Sequence, residues 1–450
     1  MMSNCRQDGF ARDPSRRTFS VCPVCLKRVP AVLEESDEQV FLRKTCGEHG
    51  AFSAVVWRGQ PSRRQWIGTV APSAPEESRN CPQACGLCPD HRQDTCCVLL
   101  EVASRCNLAC VHCFAGANNA AAGPGAQDPP LDVVKSQISD IAGRGLTFLQ
   151  LSGGEPTLRD DLPQIVRFAR EAGCAYVQLN TNGLRLGRDE DFVRLLAEAG
   201  LSFVFLQFDG LTDEICLRLR GKAVLRDKLA AIDACARRNI GVTLVPTLVP
   251  GVNTDVVGDM LRFAAARSPA VRGVHFQPVT YLGRYPDSGA PPGDERRFTL
   301  PETLQAVYDQ AGELVPAGSI VPSRCDHPAC GFHGAYVVAT ENGRPPALVP
   351  LTPSNPPECC CTPPAELNRR FVGQRWLRPP VQDCCADRNA GARDLNTLDG
   401  FLNRARSHAF TITAMAFQDA WTLDMERLRR CSLHVYDRGR IVPFCAYYLS

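Results

Sequence analysis

The chain has 450 residues, more than one ordinary hydrophobic core accommodates, so one large domain with smaller appended modules is expected. Its 50 Lys and Arg nearly balance 48 Asp and Glu, and the formal charge of +2 excludes both a basic field for nucleic acid and an acidic tail. Cysteine is the outlier at 24 residues, grouped in short clusters, which points to bound metal and away from disulfides.

In chain order, the opening Met1 to Arg6 is polar and lacks the apolar run of a signal peptide, and no apolar stretch of about 18 residues follows it. The expected compartment is therefore the reducing cytoplasm, where cysteine clusters bind metal. Residues 1–75 read as a small β-rich module with Cys22-x2-Cys25 and Cys46-x2-His49. Two ligand pairs so spaced predict a zinc-ribbon or rubredoxin-like knuckle holding one Zn or mononuclear Fe. A module this small needs such a staple to fold. Its end, Ala71 to Arg79, is polar and Pro-containing and reads as a linker.

Residues 76–97 carry Cys81-x3-Cys85-x2-Cys88, followed by the adjacent Cys96 and Cys97. This segment is assigned to an auxiliary [4Fe-4S] cluster with Cys96 or Cys97 as fourth ligand; a zinc site completed by His91 is the simpler alternative. From residue 98 to 314 strand-like runs at 97–104, 147–152, 175–181, 202–209, 241–248 and 271–279 alternate with helix-period segments. Six βα units predict an α/β fold with a parallel sheet, a partial (βα)6 TIM-like barrel in place of the closed eightfold one. Residues 315–450 lose this rhythm and form a cysteine-rich third module, with Cys325, Cys330, Cys431 and Cys445 as ligands of a second auxiliary cluster. No role is assigned to the runs Cys359 to Cys361 and Cys384-Cys385, and Cys174, Cys216 and Cys235 read as small buried hydrophobes.

The chemistry concentrates at the strand ends. The first barrel strand runs into Cys106-x3-Cys110-x2-Cys113, three thiolates that can hold three irons of a cubane and leave the fourth without a protein ligand. A zinc site completed by His112 is the competing reading of the spacing alone. The second strand ends in Gly153-Gly154-Glu155-Pro156, the third in Asn180-Thr181-Asn182-Gly183, and the fourth in Gln207-Phe208-Asp209-Gly210. For Asp209 a ligand-facing role and a turn-capping role before Gly210 stand side by side.

Three such motifs at successive strand ends resemble the radical S-adenosylmethionine (SAM) superfamily, whose C-x3-C-x-aromatic-C loop has His112 here in the aromatic position. The resemblance implies a [4Fe-4S] cluster on Cys106, Cys110 and Cys113 that binds and reductively cleaves SAM. It further implies SAM contacts from His112, Gly153, Gly154, Glu155, Asn180, Asn182 and Asp209, and reduced ferredoxin or flavodoxin as electron donor. The order of knuckle, Cys81 to His91, barrel, Cys325 to Cys330, Ala416 to Ala420 and Pro443 to Tyr447 resembles the tetraether lipid synthases and their archaeal and bacterial relatives. That branch implies joining of lipid chains at inert methyl carbons, with contact to a membrane surface; a related member methylates a pterin. Radical methylation of a pterin, peptide or small molecule is thus the alternative expectation, and a non-catalytic metal-binding interaction protein the remote one.

Overall fold

The computed structural model describes residues 15–68, 81–82, 85–117, 127–286, 292–340, 345–351, 364–379 and 397–449. Cys359, Cys360, Cys361, Cys384 and Cys385 lie outside them. The N-terminal module is a four-stranded antiparallel meander of β1 (Ser15–Val21), β2 (Arg28–Ser36), β3 (Gln39–Cys46) and β4 (Gly50–Arg58). Alternating burial along β2 and β3 turns Ala31, Leu33, Val40 and Leu42 inward, as period-two strands require. These side chains and Trp57 join the barrel's own core, so the knuckle is docked and not tethered. After it comes the short helix α1 (Arg63–Ile67).

The barrel strands are β5 (Cys97–Ala103), β6 (Phe148–Gly153), β7 (Tyr176–Thr181), β8 (Phe203–Gln207), β9 (Gly241–Val245), the two-residue β10 (Thr247–Leu248) and β11 (Val271–Pro278). They pair parallel in the order β5-β6-β7-β8-β9-β11, the six-unit sheet expected from the sequence. Their near-continuous apolar runs suit strands covered on both faces. The helices between them are α2 (Leu131–Gly143), α3 (Leu162–Glu171), α4 (Leu184–Arg188), α5 (Glu190–Glu198), α6 (Asp213–Arg220), α7 (Leu225–Arg237) and α8 (Val257–Ala266), followed by α9 (Leu300–Ala311). In α3, Leu162, Ile165, Val166 and Ala169 are buried at helical spacing. Strand–helix alternation alone does not require α4 and α6, which are additional helices of the third and fourth units. Yet α6 carries plain end signals: the Thr212 hydroxyl accepts from Ile215 N at its start, and Gly221 at φ 74° ends it.

The cysteine-rich third module does not stand apart. An open parallel sheet has two bare edges, and the C-terminal strands cover both. Residues beyond the barrel give β12 (Val321–Pro322), β13 (Gly331–Ala339), β14 (Ala347–Pro350), β15 (Ala409–Met415), β16 (Leu433–Asp437) and β17 (Arg440–Pro443). Strand β15 pairs parallel with β11 at one edge, and β16 pairs parallel with β5 at the other. The helices of this part are α10 (Pro364–Trp376), α11 (Leu398–Ser407), α12 (Met425–Leu428) and α13 (Phe444–Tyr447). Among the described residues no helix is long and apolar enough to cross a membrane.

One buried amine pins the knuckle to the C-terminal segment. Lys44 Nζ donates to Ser20 Oγ at 2.9 Å, Ala420 O at 2.5 Å and Trp421 O at 2.9 Å. Burial lowers its pKa from 10.5 to about 7. Since the folded value lies below the unfolded one, the unfolded chain holds the proton more tightly between them, and stability must rise with pH from about 7 upward. Thermal melts over that window are expected to show the rise in the wild type and a flatter profile in Lys44→Met; identical slopes contradict this reading.

Candidate active site

The loop Cys106 to Cys113 leaves the C-terminal end of β5 without regular structure and is gripped from two sides. On one side Val111 N donates to Leu219 O at 3.0 Å, and Lys222 Nζ donates to Asn107 O at 2.9 Å, both from the end of α6. On the other, Arg284 and Cys113 exchange backbone hydrogen bonds of 2.8 and 2.9 Å. The Arg284 side chain also donates to Cys110 O at 3.0 Å and Ala117 O at 2.9 Å. Cys106 and Cys110 rest on an apolar pad of Leu108, Leu184, Cys216 and Val224. Burial raises the Cys106 thiol to about 11, while Leu108 N donates to its sulfur at 3.5 Å.

These three cysteines open onto a cleft that is also lined by His112, Gly153, Gly154, Glu155, Asn180 and Asn182. The structure thus brings the three strand-end motifs together. Gly153 adopts φ +119°, and a Cβ on it would stand 2.2 Å from Ala103 O; one on Gly154 would stand 2.2 Å from Arg105 O. Only glycine lets the β6 loop lie against the base of the cysteine loop. Glu155 is buried, and Oε1 accepts from Thr157 N at 3.1 Å and from the Thr157 and Thr181 hydroxyls at 2.6 Å each. Oε2 accepts Asn182 N at 2.7 Å, which leaves it room for one more donor. Burial raises the Glu155 pKa against the pull of these donors.

Asn182 braces the cleft more than it faces it. Its amide donates to Asn107 Oδ1 at 2.7 Å on the cysteine loop, and its Oδ1 accepts Leu184 N at 3.0 Å at the start of α4. His112 is half-buried beside Tyr281, ring centroids 6.0 Å apart, and burial lowers it to about 4, so it is neutral at pH 7.

Asp209 departs from the ligand-facing expectation. Fully buried below the cleft, its carboxylate takes Arg220 Nε at 2.8 Å and Nη2 at 2.5 Å, Thr247 N at 3.1 Å and the Gln207 amide. Burial raises its pKa, and Arg220 outweighs this and holds the carboxyl below its usual range. Arg220, Gln207 and Thr247 line the cleft in its place. Lys228, also buried, donates to Asn182 O at 3.1 Å and Gln207 Oε1 at 3.0 Å and so ties the β7 and β8 loops together. The sequence reading missed Arg220, Lys228 and Arg284. The first two follow from the end signals of α6 and the period of α7, whereas Arg284 lies in irregular chain with no local signal.

At the N-terminal knuckle, Cys22, Cys25, Cys46 and His49 bring their donor atoms within 4.8 Å of one another, the one such set among the described residues. His49 Nδ1 lies 3.7 Å from Cys22 Sγ and 3.5 Å from Cys46 Sγ, and Cys25 Sγ is 3.9 Å from Cys46 Sγ. Thiolates around one tetrahedral ion stand about 3.8 Å apart, given bonds of about 2.3 Å. The backbone N–H of Glu48 and then the His49 side chain lower Cys46 to about 6, favouring the thiolate a metal needs.

Cys81 and Cys85 share a hydrogen bond that lowers Cys81 to about 7 and raises Cys85, with Cys88 close enough to act on Cys85. Cys96 does not join them. Its backbone N donates to Ser432 O at 2.8 Å, and its thiol meets Cys325. The β5–β16 pairing turns it into a second chamber, which corrects the expectation that it completes the Cys81 set. Cys330, Cys431 and Cys445 act electrostatically on one another, and Asp326 acts on all of them and on Cys325. Cys174, Cys216 and Cys235 are buried in apolar surroundings, as expected.

The second chamber adjoins the cleft across Phe114, Asn180, Phe205, Gln277, Phe417 and Phe444. The C-terminal motif packs there: Phe444 stacks on Phe417 at 4.3 Å and meets Phe114 at 5.4 Å, while Cys445 Sγ accepts Gln418 N at 3.3 Å.

Comparison with known proteins agrees with this geometry. Residues 100–264 match the radical SAM superfamily, and residues 14–58 match the HMPTM N-terminal zinc ribbon domain. The chain is 32% identical to 7,8-dihydro-6-hydroxymethylpterin dimethyltransferase of Methanocaldococcus jannaschii, over 96% of this chain and 93% of that protein. It is also 32% identical to Fe-coproporphyrin III synthase of Methanosarcina barkeri, over 42% of this chain and 45% of that protein. Among solved structures, Streptococcus suis SuiB bound to its precursor peptide SuiA aligns over 49% of this chain and 47% of that one, at 14% identity and a TM-score of 0.40. The chain is therefore a radical SAM enzyme with an N-terminal zinc ribbon, and it belongs to the family of the 7,8-dihydro-6-hydroxymethylpterin dimethyltransferase.

Proposed function

We propose that this enzyme methylates carbon atoms of a reduced pterin. The observation that carries the reading is the end-to-end likeness to a pterin dimethyltransferase, which spans the knuckle, barrel and C-terminal part alike. The second chamber supports it. Phe205, Phe332 and Trp376 offer ring faces for a flat heterocycle, and Gln150, Asn180, His275 and Gln277 offer donors and acceptors for its polar edge. Lipid chain joining draws no support from these relatives.

When bound, the [4Fe-4S] cluster and SAM supply a 5'-deoxyadenosyl radical able to take hydrogen from a C–H bond. Cys106, Cys110 and Cys113 would hold that cluster, as their common loop and open cleft suit three thiolate ligands. Glu155 Oε2 would accept the SAM ammonium, and the close-lying Gly153 and Gly154 would present backbone to it. Phe114, Phe417 and Phe444 line both chambers and would keep the passage between them apolar. We assign Cys81, Cys85 and Cys88 to one auxiliary cluster, and Cys325, Cys330, Cys431 and Cys445, with Cys96 beside them, to a second. Reduced ferredoxin or flavodoxin is the electron donor in this reading.

Incubation with SAM as radical source, a one-carbon donor (further SAM or a methylene-bearing reduced pterin), dithionite as reductant and 6-hydroxymethyl-7,8-dihydropterin should yield a pterin heavier by one or two methyl increments in mass spectrometry. Formation of 5'-deoxyadenosine with an unchanged pterin, alongside consumption of an alkyl lipid, would overturn the substrate. Alanine at Cys106, Cys110 and Cys113 together should abolish 5'-deoxyadenosine formation and leave iron elsewhere, whereas alanine at Cys81, Cys85 and Cys88 should lower iron and product and spare SAM cleavage. Gly154→Ala should cut SAM cleavage by an order of magnitude or more, because its Cβ collides with Arg105 O; wild-type SAM affinity in that variant would refute the close-packed loop.

A further inference from the structure

The cysteine loop meets one buried, permanently charged group. Arg220 is the last residue of α6, is 5% exposed, and still lines the cleft beside Cys106, Cys110 and Cys113. Its Nε and Nη2 are held by Asp209 at 2.8 and 2.5 Å, and Nη2 also reaches Thr247 Oγ1 at 3.0 Å. With that fork fixed, the guanidinium and Cys110 line the same cleft, and the positive charge acts on the Cys110 sulfur. Asp209 is itself immobilised: Thr247 N donates to its carboxylate, and Asn253 donates to its carbonyl oxygen at 2.9 Å. Lys228 lies just below, fully buried, with carbonyl and amide oxygens as its acceptors. The corner behind Cys110 therefore holds two cationic side chains and one carboxylate, all shielded from solvent, where charges act at longer range than in water.

Hydrogen bonds and fixed charges around thiolate ligands are what a protein uses to tune an iron–sulfur centre. We propose that Arg220, positioned by Asp209, sets the reduction potential of the SAM-site cluster by holding a fixed positive charge against the Cys110 sulfur. This rests on the reading that Cys106, Cys110 and Cys113 hold that cluster. The electron comes from the external one-electron donor; Arg220 gains and loses nothing, and only lowers the energy of the added negative charge. Neither the Cys81 nor the Cys325 set plays this part: Arg429 and Arg28 act on Cys81, and Arg427 donates to Cys330 at 3.3 Å, each set having its own cations. The guanidinium's planar fork is essential, because it serves Asp209 and the sulfur together, which an ammonium on a flexible stem does less well.

The test is a redox titration of the reconstituted full-length enzyme without SAM, followed by electron paramagnetic resonance, on the wild type, Arg220→Gln, Arg220→Lys and Arg218→Gln. The SAM-site signal is identified as the one missing from the Cys106, Cys110 and Cys113 alanine variant. Iron content is measured alongside. Arg220→Gln should shift that signal's midpoint to more negative potential at unchanged iron, and Arg220→Lys should shift it less. Arg218 is exposed on the same helix and bonds Gly251 O, so its removal should leave the midpoint in place. If Arg220→Gln does not fold, the intermediate shift in Arg220→Lys decides the question. A wild-type midpoint in either folded Arg220 variant overturns the proposal and leaves the cluster assignment standing. A triple alanine variant that keeps every cluster signal of the wild type would instead overturn the assignment itself.

Discussion

The loop from Cys106 to Cys113 has no secondary structure of its own, so hydrogen bonds from outside decide where its sulfurs point. Leu219 O and Lys222 fix it at the end of α6, and Arg284 holds it from the segment after β11. These contacts bring together a loop after the first barrel strand, a helix after the fourth and a segment after the last. Closing the barrel into its partial ring is what lets one loop be held from both sides.

The rest of the active end follows from that constraint. The β6 loop must approach the base of the cysteine loop so closely that Gly153 and Gly154 admit no side chain. Glu155 ties that loop to the β7 turn, Asn182 returns the contact to Asn107, and Lys228 carries it to the end of β8. A chain of buried polar bonds thus runs across three strand ends, each member satisfied by the next. The C-terminal segments close the remaining sides: β15 and β16 cap the sheet edges, and Phe417 and Phe444 line both the cleft and the second chamber.

Much of this was legible in the sequence, for a physical reason. Parallel strands buried on both faces leave apolar runs, and β5 to β9 and β11 stood close to their expected positions. Ligand pairs such as Cys22-x2-Cys25 and Cys46-x2-His49 are set by local turns, so their spacing reveals the site. What escaped was nonlocal. Cys96 sits a few residues from Cys88 but is turned by pairing with β16 toward Cys325, hundreds of residues away in the chain. Asp209 carries the right chemistry at a strand end, yet Arg220 claims its carboxylate and faces the cleft instead. The third module looked separate because its strands have no helical rhythm, and nothing local says that they add to the barrel sheet.

The proposed assignment on which the account rests is that Cys106, Cys110 and Cys113, and not Cys81, Cys85 and Cys88, hold the cluster that takes SAM. Electron paramagnetic resonance of the reduced wild-type enzyme with and without SAM addresses this directly. The account predicts that SAM changes one cluster signal alone, and that the same change occurs in the variant with alanine at Cys81, Cys85 and Cys88. A spectrum indifferent to SAM, or a SAM response that disappears in that variant, would contradict it.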